Sequence, residues 1–162
     1  MNIKNFLIDF QYILEDNGFE TCLMTQSEVK QTIQDNNLET CFPMISHEQS
    51  NDTNFIANIN DSLFLNKSEY NKDWICISKD GNIISFICID DTNDINLIIS
   101  VFEINNNYRG QGYAKNIINI FENCAKDKKY KCIFLTSFDT DSCYFWEHMD
   151  FKEAGWLYVK NI

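Results

Sequence analysis

The sequence predicts a mixed α/β domain. Two β-rich runs at residues 74–78 and 83–89 flank Asp80-Gly81, a dipeptide suited to the positive φ angles of a tight hairpin. Downstream, a third β run at 95–104, a long helical stretch, a strand and a short helix follow one another, the order expected of helices packed on a sheet. The 162 residues are enough for one domain with a real core, and a hydrophobic share of 44% with 14% aromatics belongs to a globular chain.

The elements read in order as follows. Ile3, Phe6, Leu7, Phe10, Ile13 and Leu14 recur at three- and four-residue steps, which makes an amphipathic helix closed by Asn17-Gly18. A short strand is expected at 19–24. Thr25 with Glu28 three positions on has the form of a capping box, so a second helix runs through Val29 and Ile33. Residues 36–54 are polar, hold the single proline Pro43 and show no period, and read as loop. Phe55, Ile56, Ile59 and Leu63 restore helical spacing, with Asp52 or Thr53 as cap. After the hairpin and the third β run, Ala114, Ile117, Ile118, Phe121 and Ala125 share one face of a helix. A strand at 133–137, a short helix at 142–149 and an extended piece at 151–159 complete the chain.

Composition narrows the function classes. Thirteen basic against twenty-four acidic side chains give a net charge of −11, which repels phosphate backbones and argues against a nucleic-acid partner. The same charge suits a cationic or amine substrate, and it is equally an ordinary route to solubility. The seven cysteines are scattered without a C-x-x-C pair, which points to free thiols in a reducing compartment. His47 and His148 are the only histidines and neither neighbours a cysteine pair, so no metal is expected. No leader-like segment and no run long enough to span a bilayer is evident, so a cytoplasmic location without membrane attachment is the expectation.

Arg109-Gly110-Gln111-Gly112-Tyr113-Ala114 joins the third β run to the long helix. The first turn of a helix presents unpaired N–H groups and the positive end of the helix dipole. Glycine there lets the backbone approach a ligand with no Cβ in the way, so successive amides can hold a pyrophosphate. A plain turn is the other use of two such glycines, and Arg109 can equally be a solvated charge. A P-loop would end in Gly-Lys-Ser/Thr, which is absent. A dinucleotide G-x-G-x-x-G is broken, because Lys115 stands at its sixth position. The pattern left is R-x-x-G-x-A, supplied by Arg109, Gly112 and Ala114.

That pattern resembles the coenzyme A-binding motif of the GNAT acetyltransferase family, Q/R-x-x-G-x-G/A, in the family's order of strand, loop and helix. The run from Phe145-Trp146-Glu147-His148 through Met149-Asp150-Phe151-Lys152-Glu153-Ala154-Gly155 resembles the family's second signature, a short helix leading into a strand. The resemblance covers about half the chain, residues 74–162. It implies the GNAT fold, a central mixed, mostly antiparallel sheet flanked by helices. Residues 1–70 would form a variable acceptor side and 74–162 the cofactor-binding core of a single domain. It also implies acetyl-coenzyme A as cosubstrate, without a metal, held by Ile104, Asn105, Arg109, Gly110, Gln111, Gly112, Tyr113, Ala114, Asp139 and Trp146. The implied reaction is direct transfer of an acetyl group to a primary amine of a small molecule or protein.

Several residues depart from the family pattern. Trp146 falls where many members carry a tyrosine acid, and an indole N–H does not ionise usefully. Tyr144, two positions earlier, is the substitute, although positions two apart face different sides of a helix. Without an acid, either the thiolate leaves unaided or the chain is a coenzyme A-binding sensor or scaffold on the same fold. Glu103 is the nearest carboxylate for a general base, its direction depending on whether the strand carries a bulge; Asp90 and Asp91 are the alternatives. Asp139 stands where asparagine is common, and Asp150 where glycine is common, which implies a different helix exit. Relatives often close with a two-stranded hairpin, whereas the residues after Phe151 are enough for one strand. A homodimer partner or the N-terminal helix would then cover the sheet edge.

Overall fold

The computed structural model describes residues 3–47, 73–91, 95–137 and 139–162. The helix expected around Phe55, Ile59 and Leu63 lies outside them. The elements run α1 (Ile3–Asp16), β1 (Glu20–Met24), α2 (Gln26–Asp35), α3 (Pro43–His47), β2 (Trp74–Lys79), β3 (Asn82–Asp91) and β4 (Asn96–Ile104). A 3-10 turn (Asn106–Tyr108), α4 (Tyr113–Asp127), β5 (Cys132–Leu135), α5 (Thr140–His148), β6 (Lys152–Ala154) and β7 (Leu157–Asn161) follow. One seven-stranded sheet has the order β1-β2-β3-β4-β5-β7-β6. Every neighbouring pair is antiparallel except β4 with β5.

Local chemistry accounts for most of these boundaries. α1 buries Phe6, Leu7, Phe10 and Leu14 and ends at Gly18, whose φ of 82° lets its N–H reach Glu15 O and brings the Phe19 N–H to Leu14 O. Thr25 and Glu28 form the reciprocal capping box that starts α2. Asp80 and Gly81, with φ of 50° and 74°, turn β2 into β3. On one face of the sheet, Phe6 and Phe10 of α1 meet Phe121 of α4 edge to face at 5.4 Å. On the other, Val29, Ile33, Phe42 and Ile45 cover Trp74, Cys76, Phe86 and Cys88.

Three expectations need correction. The stretch expected as loop contains α3, with Pro43 at its first helical position, where a missing N–H costs nothing. The C-terminal piece is a complete hairpin and not one strand: Gly155, at φ 70°, folds β6 back onto β7, and β7 pairs with β5. The chain's own residues therefore occupy the edge that a partner was invoked to fill. Asp150, finally, takes up the left-handed conformation itself, at φ 64°, so the helix exit is that of a glycine. Its N–H bonds to Glu147 O, and the Phe151 N–H bonds to Trp146 O. Asp150→Gly is expected to stabilise the fold by about 0.5–1 kcal/mol, because a side chain at that φ is disfavoured; urea unfolding would measure the gain.

Candidate active site

β4 organises the site. It pairs with β5 only from Asn96 to Ile99, opposite Cys132 to Leu135, and then continues to Ile104 while β5 stops. The two strands part where β4 carries a bulge: Cys88 of β3 pairs with Val101 and Ile89 pairs with Ile99, leaving Ser100 as the extra residue. A bulge bends its strand and reverses side-chain parity beyond it. Before it, Leu97 and Ile99 face α1 and α4; after it, Phe102 and Ile104 do, and Val101 joins the α2/α3 face.

The main chain beyond the bulge is oriented by the same alternation. The Asn105 N–H bonds to Ile84 O at 2.8 Å, and Glu103 O accepts from Ser85 Oγ at 2.9 Å, so residues 103 and 105 turn their peptide groups toward β3. Phe102 and Ile104 turn theirs the opposite way, into the wedge between β4 and β5. Ile104 O already accepts from Arg109 Nε there, at 3.3 Å.

At the mouth of the wedge, Gly112 caps α4 with φ 84° and no side-chain cap bond. The amides of the first helical turn are thus left for a ligand. Gly110 has φ 74°, and a Cβ added at either glycine would meet nothing within 4 Å. Both glycines are needed for backbone conformation, and the space before them is open, as a phosphate cradle requires. Arg109 stands at the rim with its side chain 57% exposed, and Gln111 is held by Nε2 donating to Asn107 O at 3.2 Å. Tyr113 places its ring between Phe19 and Tyr108. Ala114 packs against the core.

Asn105 is tied both to β3 and to its own loop. Its N–H bonds to Ile84 O, its C=O accepts from Tyr108 N, its Oδ1 accepts from Asn107 N and its Nδ2 donates to Ile83 O, so each of these groups has a partner in β3 or in the loop. Asp139 is the N-cap of α5, accepting from Ser142 N at 2.9 Å. Burial acts to raise its carboxyl, but the Ser142 hydrogen bonds and the nearby Arg109 charge outweigh this and hold it below the usual 3.8. A depressed carboxylate stabilises the fold above its ordinary range and loses that contribution as pH falls through it. Asp139→Asn, which keeps the cap but not the charge, is therefore expected to lower the melting temperature slightly at pH 7 and to lessen its fall below about pH 4, where the two proteins converge.

The two aromatic candidates divide. Trp146 is 6% exposed and packs between Phe102, Phe145 and Phe151, with centroids 6.0, 4.9 and 5.1 Å away. It supports the wedge from inside the core. Tyr144 is 59% exposed, and its carbonyl accepts from His148 Nδ1. A further aromatic residue that the sequence did not single out, Tyr158 on β7, has its phenol 3.5 Å from Glu147 Oε1; the Cys143 thiol beside it, then burial and the Glu147 charge, push its ionisation upward. Burial raises Cys76 to about 11 and Cys124 to about 12, so neither is a thiolate nucleophile. Among the described residues no cluster could hold a metal ion, and no helix is long and apolar enough to cross a membrane.

Glu103, 3% exposed, lies on the α2/α3 face with both carboxylate oxygens bonded at 2.9 Å, one to the Met44 N–H and one to the Ile45 N–H. Nearby, a cavity of about 610 Å³ is lined by Lys30, Ile33, Glu39, Pro43, Ile45 and Asn106 among others; none of residues 109–114 borders it.

The acetyltransferase (GNAT) family profile matches residues 35–151, most of the chain, and the protein is a member of that family. Solved structures agree in fold. GCN5 of Tetrahymena superposes with a TM-score of 0.58 at 12% identity over 88% of this chain and 96% of that one. An acetyltransferase of Streptococcus agalactiae gives 0.58 at 15% over 90% and 99%. A protein of Bacillus anthracis assigned as a streptothricin acetyltransferase, solved with acetyl coenzyme A, gives 0.51 at 17%, over 56% of this chain and under two thirds (63%) of that one. No curated protein matches the sequence.

Proposed function

We propose that this chain is an N-acetyltransferase that moves an acetyl group from acetyl-coenzyme A directly to a primary amine of a small molecule or protein. The observation that carries the reading is the wedge itself: outward-turned peptide groups of Phe102 and Ile104 lead to the open amides of Gly112, Tyr113 and Ala114, with Arg109 at the rim. That set fits the cosubstrate. The peptide groups suit an amide-bearing pantetheine arm, and the α4 amides with Arg109 suit a pyrophosphate. The bound thioester would supply the acetyl carbon, a C–N bond replacing the C–S bond while the amine's proton ends on sulfur. The chain's own part is to position the two reactants and exclude water. The net charge of −11 supports a cationic acceptor, and the free cysteines support a cytoplasmic setting.

A second reading, a catalytically weak coenzyme A-binding sensor, is favoured by one observation: the position expected to carry the acid holds Trp146, buried in the core. Thiol release from acetyl-coenzyme A in the presence of an amine panel separates the two. Saturable release with any amine supports the enzyme; binding without release supports the sensor.

A further inference from the structure

The buried carboxylate of Glu103 joins two parts of the molecule that are distant in sequence. α3 begins with Pro43, which has no N–H, and the Ser46 N–H bonds to Phe42 O. The remaining donors of its first turn are Met44 and Ile45, and Glu103 accepts both. The same carboxylate lies 3.9 Å from Arg109 Nη2. Around it, the Asn106 N–H bonds to Cys41 O, Asn106 Nδ2 to Thr40 O, and Asn107 Nδ2 to Cys41 Sγ. Residues 40–46 are thereby fastened to the segment that runs from β4 into the Arg109 loop, and those residues form one wall of the 610 Å³ cavity.

We propose that Glu103 is a positioning residue and not the general base: it fixes α3 and the cavity wall to the cofactor loop, so that occupancy of the loop stiffens the acceptor-side wall. A base needs an oxygen directed at the amine, whereas both oxygens here are committed to main-chain donors on the α2/α3 face. The coupling part of the proposal rests on the acetyl-coenzyme A reading above; the latch itself does not. A bound anion draws on Arg109, holding the 105–109 segment whose Asn106 and Asn107 grip residues 40 and 41.

Amide hydrogen exchange at Met44 and Ile45 tests it, measured on the wild-type chain with and without saturating acetyl-coenzyme A and on Glu103→Gln, beside calorimetric titration of both. Saturating acetyl-coenzyme A is expected to slow exchange at these two amides at least 3-fold in the wild type. Glu103→Gln is expected to speed it at least 10-fold while the variant still binds acetyl-coenzyme A within about 10-fold of wild type. Calorimetric binding with no change in exchange overturns the coupling, and unchanged exchange in Glu103→Gln overturns the latch. Absence of binding by the wild type overturns the cofactor reading and the coupling with it, and leaves the latch to be decided by the variant alone. Should Glu103→Gln fail to fold, Asn106→Asp, which replaces the donor to Thr40 O by an acceptor, takes its place: it must speed exchange at Met44 and Ile45, and unchanged rates overturn the fastening.

Discussion

Glu122→Ala is expected to destabilise the fold by about 3–5 kcal/mol, because it leaves a buried ammonium without its counter-charge. Lys160 Nζ lies 2.8 Å from both oxygens of Glu122 and 2.6 Å from Met149 O, with the two side chains only 16% and 7% exposed. The ammonium also sits 5.6 Å from the centre of the Phe151 ring, and Met149 is the C-cap of α5, where a cation is favoured. One side chain on β7 thus ties α4 to the end of α5, behind the wedge. Replacing both partners by apolar residues of similar size, Glu122→Leu with Lys160→Met, is expected to recover most of the loss, since a buried pair contributes little net stability over good packing. Urea unfolding of the three variants measures both effects. A loss under about 1 kcal/mol in Glu122→Ala would show that water reaches the pair.

Gly112→Glu is expected to remove acetyl-coenzyme A binding, by at least 100-fold in affinity. At a ligand concentration of 100 times the dissociation constant, binding stabilises a protein by about 2.7 kcal/mol, or roughly 5–10 °C for a chain of this size. That thermal shift should vanish in the variant. Because a side chain at φ 84° is strained wherever it points, Gly112→Ala is the control. It carries the same backbone strain but no charge, and its Cβ enters open space, so it should lower the melting temperature while retaining most of the ligand-induced shift. Equal loss in both variants would mean that the loop conformation alone, and not the cradle in front of it, is responsible.

What was legible in the sequence follows from how local the determining interactions are. The capping box at Thr25 and Glu28, the Asp80-Gly81 hairpin and the glycine loop before α4 are each set by neighbours within a few residues, and each stands where the pattern placed it. The family profile spans the residues that carry the motif, Arg109, Gly112 and Ala114. Glu103 was legible as a candidate but not in its surroundings, because its direction depends on the bulge at Ser100 and its partners are Met44 and Ile45, 59 and 58 positions away. Asn105 fits a ligand-binding position by its place in the motif; only the return of β3 alongside it shows that its amide is taken by Ile83 O and Asn107 N. The C-terminal hairpin was missed because a two-residue turn at Gly155-Trp156 leaves strands too short to show a period. Asp150 misled in the opposite direction, its side chain suggesting a different exit from a helix end that adopts the glycine geometry regardless.

Isothermal titration of the wild-type chain with acetyl-coenzyme A tests the central claim most directly. The wedge and loop predict one site per chain with a dissociation constant on the order of micromolar. Absence of any binding heat at several temperatures, together with no thermal shift at millimolar ligand, would contradict the cofactor site and leave only the fold.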